Sequence, residues 1–256
     1  MTTKIVSLAK NTFREGFRDR LFVAVAVFGV IVLVSSLVIG PLSLGEDARI
    51  TQDLGLAAIS ILSFLIAILI GTGIVYREIE RRTIYTVVSK PVSRWEFIVG
   101  KFLGLSATIG LLVAGMTAVL MIANRVINGG FELQILAAVL LIWMELLLLT
   151  ALSVLMSTLC SPILGAIFTF MLYVIGHTSA DLKHLVARVG TMPVRVIVDV
   201  VYYAIPNLEY LNIRSKVTHG VPIEGSYLAF ACAYALLYSL VFLTVAGLIF
   251  ERREFR

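Results

Sequence analysis

Charge is scarce in this sequence, and so are cysteine and proline. Charged residues make up 14% of the 256 residues, whereas hydrophobic residues make up 59%. Soluble proteins contain roughly 25% charged residues, so the composition excludes a soluble fold. The two cysteines offer no disulfide framework, because Cys160 falls in a predicted cytosolic loop and Cys232 within an apolar run.

The sequence also lacks the motifs of several large functional classes. It has no GxxxxGK[ST] phosphate-binding loop, which excludes ATP hydrolysis by that mechanism. No nucleophile and base pair is apparent at a membrane face, so we name no catalytic residue. His177, His184 and His219 have no cysteine or second histidine at ligand spacing, so we expect no metal site and interpret them as interfacial polar residues.

Long hydrophobic runs dominate what is present. A membrane-spanning helix needs about 20 mostly apolar residues. This length predicts an all-α integral membrane protein with one membrane domain over residues 1–256. The six predicted spans are approximately 21–40, 54–76, 101–123, 135–158, 163–179 and 226–250. Only Ser161 and Pro162 separate the fourth from the fifth, which favours a tight helical hairpin with proline at the first helical position.

The basic residues indicate how the chain is oriented. The net charge is +5, but the lysines and arginines flank predicted spans instead of forming a groove, so we expect no nucleic-acid partner. Fourteen of them lie in the two tails and the 77–101 loop, and two, Arg49 and Arg125, lie in the short loops of the other face. The positive-inside rule therefore places both termini in the cytosol, in an inner (plasma) membrane surrounded by lipid.

Residues 4–20 form a predicted amphipathic helix before the first span. Apolar residues recur at helical spacing from Ile5 to Phe17, and basic residues occupy the other faces. Two interpretations stay open: a membrane-surface anchor, or an elbow helix that borders a docked cytosolic partner.

Residues 75–104 carry the most information. The second span continues through charged residues until Lys90-Pro91, where the residue before proline disfavours a helix. Ser93, with Glu96 three residues later, fits a capping box that starts a new helix. That helix runs through Lys101 into the third span. The pattern predicts a charged, rigid helical hairpin on the cytosolic side.

This segment resembles the pattern that ABC-2 type permeases, the membrane subunits of ABC exporters, carry between their second and third spans. The matching positions are Glu78, Thr83, Pro91, Ser93, Arg94, Gly100 and Lys101. Arg82 stands where that family usually has glycine. The N-terminal KNTFREGFRDRLF, the closing FERREF and Pro206-Asn207-Leu208 are also similar to family features.

The resemblance implies a coupling helix within 77–94 that rests on a separate ATPase. The coupling residues it implies are Glu78, Glu80, Arg81, Thr83, Pro91, Ser93 and Arg94. It further implies two ATPase copies holding ATP and magnesium, no cofactor in this chain, and two permease copies, identical in the simplest case, that enclose a pathway.

Polar and small residues inside the spans are candidates for the pathway or for helix packing. The resemblance implies that the second and fifth spans line the pathway, and the candidates are Ser60, Ser63, Thr169 and Tyr173. Small residues at helical spacing, such as Gly100, Gly104 and Thr108, favour close helix approach. Glu145 lies about 15 Å from either end of the fourth span. Its carboxyl group is either functional or a neutral structural group.

Residues 180–225 form the only long external segment. Two amphipathic runs, from Leu182 and from Val194, are separated by Gly190 and Pro193. We expect short helices here, and the resemblance implies that they close the pathway on the outside. The predicted gate residues are Gly190, Pro193, Pro206 and Asn207.

Two other functions compete with a permease subunit. An ion-coupled secondary transporter would use Glu145, but it predicts helices broken at the midplane and further buried ionisable groups, which the sequence lacks. A membrane-embedded lipid-processing enzyme is the third candidate. The substrate is not encoded in any recognisable motif.

Overall fold

The computed structural model describes residues 2–39, 47–76, 93–128, 132–189, 193–195, 198–199, 202 and 205–252. This part of the chain is helical and contains no strand. A 3₁₀ turn covers Leu208–Leu211. The α-helices are α1 Thr2–Arg18, α2 Arg20–Ile39, α3 Asp47–Ile74, α4 Arg94–Asn128, α5 Leu133–Leu159, α6 Pro162–Val189, α7 Arg214–Thr218 and α8 Gly225–Arg252.

Five of these helices are long and apolar enough to cross a bilayer, namely α3, α4, α5, α6 and α8. Each corresponds to one predicted span, from the second to the sixth, although α3 ends at Ile74, two residues before the predicted end of the second span. The first predicted span coincides with α2, whose shorter apolar stretch is Phe22–Val32. The all-helical membrane architecture is thus confirmed, and a membrane crossing by α2 remains a prediction.

Helix α5 lies at the centre of the packing. Every residue from Glu145 to Leu155 is buried, because α3, α4, α6 and α8 all pack against it. By contrast, only 22% of the most apolar stretch of α6 is buried within the chain, and the share is the same for α8. The outward faces of these two helices are therefore left for lipid or for another subunit.

Helix α1 packs along the first half of α4 through glycines. A Cβ atom at Gly104 would lie 2.5 Å from the carbonyl oxygen of Ala9, and one at Gly100 would lie 2.7 Å from Cβ of Leu8. These two glycines are four residues apart, so they lie on one face of α4 and let the helix backbones approach closely. The predicted use of this small-residue stripe is confirmed.

Helix α6 is longer than predicted. The expected span ended at residue 179, with a separate amphipathic run after it, but α6 continues without a break to Val189. The first run is therefore the last part of α6. The chain has no proline between Pro162 and Val189, and the two glycines there, Gly165 and Gly176, lie before the run begins. The second run is described only at 193–195, 198–199 and 202, which are helical.

Candidate functional site

The C-terminal end of α3 and the N-terminal end of α4 flank the predicted coupling segment. Glu78, Glu80, Arg81, Thr83 and Pro91 lie outside the described residues, whereas Ser93 and Arg94 are described. On the α3 side, the backbone N–H groups of Val75 and Tyr76 each donate a hydrogen bond of 3.1 Å to Oγ of Ser157 on α5. These two hydrogen bonds fix the end of α3, where the predicted coupling segment begins.

A reciprocal capping box starts α4 on the other side of the segment. The Ser93 N–H donates to Oε2 of Glu96 at 2.9 Å, and the Glu96 N–H donates to Oγ of Ser93 at 3.2 Å. Two backbone donors that the helix itself cannot satisfy are thereby bonded. The predicted capping box is confirmed.

Arg94 joins the start of α4 to the end of α8. Its Nη1 donates to the carbonyl oxygens of Phe250, at 2.9 Å, and Glu251, at 2.6 Å. The ring of Phe97, one turn further along, stacks on Phe250 with centroids 5.5 Å apart. A guanidinium at the C-terminal end of a helix also complements its dipole. Arg94 therefore has a role in packing that its family motif did not indicate.

Lys101 connects α4 to the N-terminal helix. Its side chain is 2% exposed, and its Nζ lies 3.8 Å from Oε2 of Glu15 on α1 and 5.7 Å from the centroid of the Phe97 ring. A lysine is almost never buried to this extent without a charged partner. Helix α1 is thus held to α4 by glycine contacts and by charge.

A second group of polar side chains lies within the apolar helices, where α3, α5 and α6 meet. Nε2 of His177 on α6 lies 3.2 Å from Oε1 of Glu145 on α5. The His177 ring meets the Tyr173 ring edge to face, with centroids 4.5 Å apart. Tyr173 stacks on Phe64 of α3, with ring centroids 3.8 Å apart, and its hydroxyl lies near the Ser60 side chain.

The position of His177 corrects our expectation. We expected an interfacial polar residue, but His177 lies beside Glu145 inside the helical packing. The hairpin of α5 and α6 explains this, because Glu145 lies 15 residues before Cys160 and His177 lies 15 residues after Pro162. At 1.5 Å per residue, both are about 22 Å from the turn.

The predicted pathway residues divide into two groups. Ser60 and Tyr173 contact each other, and Tyr173 contacts His177, which reaches Glu145. The Thr169 hydroxyl donates instead to the Gly165 carbonyl on its own helix. The Ser63 hydroxyl is buried and has no hydrogen-bond partner among the described residues.

The Pro206-Asn207 segment is fastened to α6 and α8. The Asn207 N–H donates to the hydroxyl of Tyr234 on α8 at 2.7 Å, and the Asn207 side chain accepts from the Glu209 N–H. Leu208, the next residue, is fully buried and packs against Gly176 of α6. Of the other predicted gate residues, Pro193 is exposed, and Gly190 lies outside the described residues.

Sequence reasoning missed a polar cluster near the opposite end of the helices. Nε2 of the buried Gln52 donates to Oδ1 of Asn124 at 3.0 Å and to Oε2 of Glu132 at 2.8 Å. Gln52 and Glu132 also line an open cleft of about 700 Å³, together with Arg49 and His219. The three polar residues are 72 and 80 positions apart in sequence, so no local pattern signals the cluster.

Four long apolar helices packed around a fifth, α5, define a polytopic helical membrane protein. The family model described as "ABC-2 family transporter protein" matches residues 6–255, and the chain belongs to this family. The chain is therefore an integral membrane protein of the ABC transporter class, and the predicted membership of this family is confirmed. No curated protein matches the chain significantly.

Proposed function

We propose that this chain is the permease subunit of an ABC exporter whose ATPase is a separate cytosolic protein. The observation that carries the proposal is the anchoring of segment 77–92 at both ends. Ser157 holds the end of α3, and the capping box with Arg94 holds the start of α4. A force applied to this segment reaches α5 and α8 through these bonds.

The ATPase supplies the energy, because the sequence has no phosphate-binding loop of its own. Two ATPase copies hold ATP and magnesium and dock on residues 77–94, where Glu78, Glu80 and Arg81 provide charges for the contact. The elbow helix α1 borders this docking surface. In this proposal both termini lie in the cytosol and the chain lies in the inner membrane, with α2 as the first of six spans.

A second copy of the permease completes the substrate pathway. The exposed outward faces of α6 and α8 are available for this contact and for lipid. In the homodimer, the partly exposed Tyr173 faces the pathway, whereas Ser60 and Ser63 are buried within one copy. The segment around Pro193, Pro206 and Asn207 closes the pathway on the outside. The packing of Leu208 against Gly176 ties that closure to the movement of α6.

One observation favours an ion-coupled secondary transporter as a second candidate, namely the contact between Glu145 and His177. Transporters of that kind bind ions where helices are broken at the midplane. Helices α3, α5 and α6 run unbroken through the level of this pair. This continuity supports the ABC permease over the secondary transporter.

Replacing Pro91 and Ser93 together by alanine should uncouple the ATPase from the permease. The double variant loses the proline that predicts a helix break and the Ser93 acceptor of the capping box, and the lost acceptor costs about 1 kcal/mol at a helix end. The loss alters the angle of the segment but leaves the chain folded. We expect ATP hydrolysis by the reconstituted complex to continue while the outer face stops responding to ATP.

The response of the outer face is measured by maleimide labelling of a cysteine placed at the exposed Glu209, on a background in which Cys160 and Cys232 are serine. Arg125→Ala, at the far end of α4, is the matched control and should keep the ATP-dependent change in labelling. An unchanged response in the double variant would exclude this segment as the lever.

A further inference from the structure

Three buried polar atoms at the junction of α5 and α6 have no hydrogen-bond partner among the described residues. They are Oε1 of Glu145 and both ring nitrogens of His177. The 3.2 Å between Oε1 and Nε2 is short enough for a hydrogen bond, but the two groups are not aligned for one. The Glu145 side chain is 4% exposed, so bulk solvent does not satisfy it.

These two side chains cannot satisfy each other completely. A neutral imidazole has one donor and one acceptor on opposite sides of the ring, and a carboxylate has acceptors only. Even an aligned contact would leave a ring nitrogen unpaired. A buried polar atom without a partner is costly, and a buried carboxylate without a cation is more so. The site therefore has unused hydrogen-bonding capacity, and an ammonium group supplies both donors and a positive charge.

The surroundings fit a cation attached to an apolar body. The stacked rings of Phe64 and Tyr173 lie next to His177, and aromatic faces attract organic cations. The His177 side chain is 16% exposed, which opens the pair towards the outward face of α6. On that face Phe170 and Val174 are exposed, seven and three residues before His177, and therefore lie on the same helical stripe.

We propose that Glu145 and His177 form a binding site for the ammonium group of an amphipathic amine. The ammonium donates to Oε1 of Glu145 and to a ring nitrogen of His177, and the apolar body lies along Phe170 and Val174. This inference rests on the proposed function for its physiological meaning, since it assigns the transported substrate to the class of hydrophobic amines.

The test uses three small probes that share an aromatic body and differ in charge: 2-phenylethylammonium, 2-phenylethanol and 3-phenylpropionate. The full chain is purified into lipid nanodiscs without any ATPase, and its melting temperature is followed by tryptophan fluorescence at neutral pH. A ligand that binds the folded state raises the melting temperature as its concentration exceeds its Kd. We expect a saturable rise with the ammonium and none with the alcohol or the carboxylate.

Glu145→Gln keeps the size of the side chain and removes its charge. It should weaken binding of the ammonium about tenfold or more, as expected for a charged hydrogen bond. His177→Gln is a second variant with the same expected direction, and it decides the matter if Glu145→Gln is not recovered folded. Thr178→Val is the control, because Thr178 is exposed and bonds only within α6, and it should bind like the original chain.

Equal shifts with all three probes, or undiminished ammonium binding in the folded Glu145 and His177 variants, would overturn the proposal. Because no ATPase is present, a negative result leaves the proposed coupling to an ATPase untouched. Conversely, a failure of ATPase coupling would leave a positive binding result standing.

Discussion

Replacing Gly104 by leucine should detach the N-terminal helix from α4. A Cβ atom at this position would lie 2.5 Å from the backbone carbonyl oxygen of Ala9 and 2.5 Å from Cβ of Thr12. Neither atom is at the free end of a flexible side chain, so the whole of α1 must move. Overpacking of this kind costs about 1–3 kcal/mol, and sometimes more.

The displacement also separates Lys101 from Glu15, whose charges lie one turn away on the same interface. The buried lysine then lacks this carboxylate, which adds to the loss of stability. We expect a lower melting temperature in nanodiscs and faster proteolytic cleavage within residues 2–18. Both are measured on the purified chain, by tryptophan fluorescence and by mass spectrometry of the fragments.

Gly115→Leu is the matched control for this prediction. Gly115 lies on the same helix, but a Cβ atom there would have no atom within 4 Å, so the larger side chain enters open space. If Gly104→Leu were as stable and as resistant to protease as Gly115→Leu, the close packing of α1 on α4 would be contradicted.

Replacing Gly176 by leucine should displace the Pro206-Asn207 segment from α6. A Cβ atom at Gly176 would lie 2.7 Å from Cγ of Leu208 and 3.0 Å from the carbonyl oxygen of Pro206. Leu208 is fully buried and follows Asn207, whose N–H is bonded to Tyr234. The leucine therefore forces out the segment that this bond holds, again at a cost of about 1–3 kcal/mol.

The displacement is measured at Leu211, whose side chain is fully buried at the end of the same 3₁₀ turn. A cysteine placed there, with Cys160 and Cys232 changed to serine, should react slowly with a membrane-impermeant maleimide. It should react several-fold faster once Gly176→Leu is added. Thr178→Leu, two residues away on the exposed face, should leave the rate unchanged. Equal rates in all three chains would contradict the packing of this segment on α6.

The sequence predicts those features of the fold that depend on neighbouring residues. The apolar runs place the long helices, since a helix that must satisfy its own backbone in lipid is specified by its own composition. Ser93 and Glu96 predict a capping box because both partners lie within one turn. Gly100 and Gly104 predict close packing because their spacing places them on one helix face.

Features that depend on distant residues could not be predicted in the same way. The contact between Glu145 and His177 joins residues 32 positions apart, and the bonds of Arg94 to Phe250 and Glu251 join residues more than 150 positions apart. The equal distance of Glu145 and His177 from the hairpin turn was the one available signal. The predicted fifth span ended at residue 179, but α6 continues to Val189, since charged residues can continue a helix beyond the bilayer without breaking it.

In the proposed mechanism, a separate ATPase acts on this chain through residues 77–92. The most direct test is to purify the tagged chain from the membranes of its own host and to quantify its partners by mass spectrometry. We predict one ATPase subunit with a GxxxxGK[ST] loop per copy of the chain, and its loss when residues 77–92 are replaced by a glycine–serine linker of equal length. Retention of the ATPase by the linker variant, or an original chain that co-purifies with no ATPase at all, would contradict the claim.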